Sequence, residues 1–103
     1  MKIIFCRDAQ SVSDYLVEDF FNHHKDHEEI KINSFLLLYR FRVAVAKKEI
    51  EPFDLDVIDF NGKVYSGFCD EVGRLDENTM ESVYRAKVVS QEEDFLNILI
   101  GIA

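Results

Sequence analysis

Asn61-Gly62 stands between two apolar, strand-like runs, residues 55–60 and 63–69. Asn-Gly accepts the positive φ angles of tight hairpin turns at low steric cost, so this dipeptide predicts two antiparallel strands. An isolated hairpin is marginal in water, so the rest of the chain must cover one of its faces. Upstream lie segments suited to that task. Residues 2–6, KIIFC, form a short apolar run that fits a buried strand. Ser11, with Asp14 three residues on, reads as a helix cap. Val12, Tyr15, Leu16, Val17 and Phe20 follow at helical spacing, giving an amphipathic helix to about His24. Residues 29–34 alternate, with Ile30 and Ile32 on one face, and predict a second strand.

Residues 35–48 carry two periodicities. Tyr39, Phe41, Val43 and Val45 alternate with Arg40, Arg42, Ala44 and Ala46 as in a strand. The leucines, alanines and terminal Lys47-Lys48 favour a helix. Pro52, the single proline, ends whatever precedes it, and Gly73 marks a further turn. Residues 81–89 fit either strand or helix. Ser90 and Glu93 form a capping box for a last helix containing Phe95, Leu96, Leu99 and Ile100. The expected fold is a small α/β domain spanning residues 1–103. It has one mixed sheet with a β-hairpin and about three helices.

The chain has 103 residues, a size at which one core is sufficient but leaves little surplus stability. Its net charge of −8 repels phosphate backbones and disfavours direct nucleic-acid binding. No run approaches the roughly 20 apolar residues of a membrane span, and no signal peptide is expected from residues 1–7. Cys6 and Cys69 are too few for a disulfide framework and sit in apolar runs, so free buried thiols and a cytoplasmic location are expected.

Catalytic motifs are scarce. There is no GxxxxGK[ST], GxSxG or HExxH pattern. Asp19, His23 and His27 are spaced four apart and are the best metal-ligand candidates. Asp54, Asp56, Asp59, Asp70, Glu71, Asp76 and Glu77 offer oxygen ligands, but 54–59 lacks the order of a calcium loop. Ser34 and Cys69 have no recognisable base. No catalytic residue, cofactor or metal is therefore expected. Charge is segregated instead. Arg40, Arg42, Lys47 and Lys48 precede a run with Glu49, Glu51, Asp54 and Asp56, which suggests a two-signed docking face around Pro52. The last helix holds more apolar positions than one core-facing stripe needs, so Ile98 and Ile102 are further candidates for a partner contact or self-association.

Several short stretches resemble the C-terminal section of AAA/ABC-type ATPases of prokaryotic defence and plasmid systems, the relatives of the overcoming-lysogenization-defect proteins. They are Ile32-Asn33-Ser34-Phe35 at that family's switch, residues 42–48 (RVAVAKK), residues 49–52 (EIEP), Gly62-Lys63-Val64 and residues 70–76 (DEVGRLD). Asn33 stands where the family has its switch histidine, and Phe35 where it has an acid. Phe5 and Cys6 occupy the place of the Walker B acid, and the family's Trp-Pro after GRLD is missing. The resemblance implies a degenerate lobe without the phosphate loop. Such a lobe binds a protein partner, an ATPase or nuclease subunit, and does not turn over nucleotide. An acidic nucleic-acid mimic and a small metal-dependent enzyme are the alternatives.

Overall fold

A computed structural model describes residues 1–86. Strands β1 (Lys2–Phe5), β2 (Glu29–Ile32), β3 (Asp54–Ile58) and β4 (Val64–Phe68) form one sheet in the order β2-β1-β3-β4. β1 runs parallel to both β2 and β3, and β4 is antiparallel to β3. Helices α1 (Val17–His24) and α2 (Phe35–Ala46) occupy the connections after β1 and β2, and a third helix, α3, covers residues 77–86. This is the expected α/β domain with a mixed sheet.

Register explains which face is buried. Ile3 lies opposite both Ile30 and Leu55, and Phe5 opposite both Ile32 and Val57. Side chains alternate across a strand, so these apolar residues share one face. Val17 and Phe21 of α1, Leu37, Leu38, Phe41, Ala44 and Val45 of α2, and Val83 and Ala86 of α3 complete the same core. The Phe41 ring meets Phe21 edge-on at 5.0 Å and Phe53 at 6.5 Å. Each large apolar side chain buried in this way contributes about 1.5–3 kcal/mol. Among the described residues the helices thus cover one face. The other face carries Lys2, Ile4, Asp54, Asp56, Ile58, Val64, Ser66 and Phe68, none of them fully buried. The ligand crevice of doubly wound sheets needs helices on both faces and is not formed by these elements.

The helical alternative for residues 35–48 is the one adopted. Ser34 caps α2 by accepting from the Leu37 amide at 3.2 Å, although the sequence pattern assigned it to the preceding strand. At the other end Lys48 takes a left-handed φ of 62°, with Glu49 N donating to Ala44 O and Lys48 N to Val45 O. This paired arrangement satisfies the last carbonyls. The start of α1 differs from expectation. A 3-10 turn at Asp14–Leu16 precedes it, and Ser11 does not cap it. Ser11 Oγ instead accepts from Asn33 Nδ2 at 3.3 Å. Tyr15 and Leu16 are therefore exposed, while Phe21, outside the expected stripe, is buried.

The hairpin forms where Asn61-Gly62 places it, but with a longer loop. Gly62 N donates to Asp59 O at 3.0 Å and Asp59 N to Lys63 O at 3.0 Å, with only Gly62 at positive φ. This is a type I turn closed by a glycine bulge, not a two-residue primed turn. Asp59 Oδ1 accepts from the amides of Asn61 and Lys63, both at 2.9 Å. The same pattern recurs at residues 70–74. Gly73 N donates to Asp70 O, Asp70 N to Arg74 O, and Asp70 Oδ1 accepts from Val72 and Arg74. The second turn lets Cys69 pair with Leu75 in an isolated bridge and delivers the chain to α3. Asp76 caps α3 by accepting from the Thr79 amide at 2.7 Å. The reading of residues 81–89 resolves to helix as far as residue 86, and the capping box at Ser90 lies outside the described residues.

Candidate protein-interaction surface

Half of the two-signed docking face is engaged within the chain. Arg40 Nε and Nη2 donate to Glu18 at 2.8 and 3.0 Å, and Nη2 also reaches Glu49 at 3.2 Å. Its guanidinium carbon lies 3.8 Å from the Phe21 ring centroid. Arg40 therefore clamps α1 onto α2, and its bond to Glu18 holds that carboxyl below its usual range. Arg42 Nε donates to Gly73 O at 2.9 Å, tying α2 to the second turn. Asp56 lies 2.8 Å from Lys2 Nζ and accepts from Ser66 Oγ at 2.8 Å, and the Lys2 bond chiefly lowers its pKa. Lys47, Lys48, Glu51 and Asp54 remain exposed. Ile98 and Ile102 lie outside the described residues.

The histidines do not take the expected arrangement. α1 ends at His24, so His27 falls beyond the helix that was to align it with Asp19 and His23. His27 packs instead against His24, ring to ring at 4.9 Å. His24 Nδ1 bonds to Phe20 O and His23 Nδ1 to Asp19 O. They line a cleft of about 800 Å³ with Asp19, Phe20 and Lys31. Among the described residues no three His, Cys, Asp or Glu side chains are placed to hold a metal ion. The carboxylates of Asp59, Asp70 and Asp76 are directed to backbone amides of their own turns. Burial raises the Cys69 thiol to about 11, far from nucleophilic use at neutral pH.

What periodicity did not single out is the outer side of α2. Leu36 is 43% exposed and Tyr39 59%, one turn apart, with Val43 half-buried beyond them. Phe35 stacks on the buried Phe5 at 5.8 Å and on Tyr84 of α3 at 5.7 Å. Tyr84 is itself 65% exposed, and Met80 lies one turn before it. A would-be Cβ on Gly73 meets Arg42 and Ala46, so α3 starts beside the end of α2 and runs back along it. Apolar side chains of both helices thus reach solvent on the helical layer. Helices that are apolar on every side are ordinarily buried on every side. The signal was present in the sequence: residues 35–39, FLLLY, leave no polar position for an outer face.

No described helix is long and apolar enough to cross a membrane. Comparison with protein-family models, with curated proteins and with solved structures finds no match for this chain.

Proposed function

We propose that this chain is a non-catalytic protein-interaction domain that docks on a larger ATPase or nuclease assembly through the outer face of α2 and α3. The observation that carries the reading is the exposed apolar stripe Leu36, Tyr39 and Tyr84 on an otherwise well-packed helical layer. Such contiguous apolar surface marks contact sites in soluble proteins, with tyrosine a frequent anchor. The class of partner comes from the resemblance to a degenerate ATPase lobe. A cytoplasmic setting is in keeping with two buried free cysteines. Against the nucleic-acid mimic, Asp59, Asp70 and Asp76 serve their own turns and Asp56 is neutralised by Lys2.

The test is the pair Leu36→Glu and Tyr39→Glu. Both should keep the wild-type circular dichroism and melting behaviour, since neither side chain is buried. Both should lose the ATPase or nuclease subunit that wild type retains in pull-downs from the native cell. If both stay folded and still retain it, the helical face is not the docking site.

A further inference from the structure

The two edges of the sheet differ in protection. β2, at one edge, exposes Glu29 and Lys31, and such charges discourage pairing with another chain. β4, at the other, reads VYSGF, with no charge and no proline. Its Val64 is 52% exposed and its Phe68 58%. The directions of its free backbone groups follow from the ladder. Asp59 N donates to Lys63 O, and Cys69 N donates to Phe53 O. Antiparallel pairs alternate, so Tyr65 and Gly67 also bond to β3, while the amides and carbonyls of Val64, Ser66 and Phe68 point outward. Among the described residues nothing accepts or donates to that edge.

We propose that β4 is a self-association edge, pairing antiparallel with β4 of a second copy about a two-fold axis at Ser66. Pairing centred on Ser66 sets each outward-pointing residue against another, so that about six backbone hydrogen bonds can form. Val64 then faces the partner's Phe68, placing apolar side chains together on the open face. Tyr65 faces the partner's Gly67, over which Thr79 of α3 packs, so the ring lies beside that threonine on the helix side. Lys63 comes opposite the partner's Cys69, just beyond the paired strands. No like charges meet within the paired strands. Edge-to-edge pairing leaves both helical layers uncovered on the same side, so it is independent of the docking face proposed above.

Sedimentation equilibrium tests it directly. At about 100 µM, where a micromolar dimer is nearly complete, wild type should weigh twice the 12.0 kDa of one chain. Ser66→Pro removes the outward amide, a substitution edge strands tolerate, together with the exposed Oγ bond to Asp56. The double variant Val64→Lys/Phe68→Lys sets lysines opposite one another across the axis. Both should weigh 12.0 kDa while keeping wild-type circular dichroism. Amide exchange supplies a second reading: all of Val64–Phe68 should be slow in wild type, but only Tyr65 and Gly67 in the double variant. A wild-type monomer at this concentration, or a dimer that survives in the folded double variant, overturns the proposal.

Discussion

The turns at Asp59–Lys63 and Asp70–Arg74 share one hydrogen-bond pattern and differ in what lies beside them. In each, an aspartate accepts from two amides and a glycine takes φ near +80°. Gly62 has nothing within 4 Å of where a Cβ would stand. At Gly73 the same atom would run into the Arg42 carbonyl oxygen, and Ala46 Cβ lies 3.3 Å away. Arg42 also donates to the Gly73 carbonyl. The first turn is local chemistry in open solvent. The second is a seam where α2 grips the chain between β4 and α3. Turn chemistry is written in five residues; the role of the turn is set by residues thirty positions away.

That contrast can be broken most sharply at the glycines. Gly62→Ala should cost about 1 kcal/mol, the strain of a left-handed alanine alone. Gly73→Ala adds a backbone collision and should cost about 3 kcal/mol or more in urea denaturation. Equal losses would mean that the seam yields freely. The aspartates sharpen the comparison from the other side. Their bonds are alike, so Asp59→Ala and Asp70→Ala should each cost about 1–2 kcal/mol, and similarly to one another. A much larger loss at Asp70 would show that its carboxylate does more than close the turn. Arg42→Met keeps the stem but removes the bond to Gly73, for an expected loss of about 1 kcal/mol.

A smaller effect concerns acid. Asp76 follows the second turn, and its bonds from Thr79 lower its pKa from 3.8. A depressed carboxyl stabilises the fold above its unfolded value and loses that contribution as pH falls through the folded one. Asp76→Asn should therefore flatten the decline of the melting temperature below about pH 4. An unchanged decline would remove Asp76 from the acid response.

Much of this architecture was legible because apolar spacing and punctuation agreed. Ile30 and Ile32, the helical content of 35–48, and the hairpin at Asn61-Gly62 all appear where the pattern puts them. The misreadings share a cause. Ser11 is a cap candidate by its near neighbours, whereas its partner Asn33 is distant in sequence; the intramolecular partners of Arg40, Arg42 and Asp56, namely Glu18, Gly73 and Lys2, are equally invisible to local spacing. Tyr15 and Phe21 exchanged expected roles because a 3-10 turn shifts the phase of α1 by entering it at a different angle from a continuous helix. The repeated Asp-x-x-Gly-basic turn was visible as letters, but only its hydrogen bonds show that DEVGR and DFNGK are the same device.

Site-specific photo-crosslinking examines in place whether the helical face is an interface. A photoreactive phenylalanine analogue at Tyr39 or Tyr84 should capture one and the same ATPase or nuclease subunit in the native cell. The analogue at Glu29, exposed on the opposite face of the sheet, should capture none of it. Equal capture at all three positions, or none at Tyr39 and Tyr84 in folded protein, would contradict the docking surface.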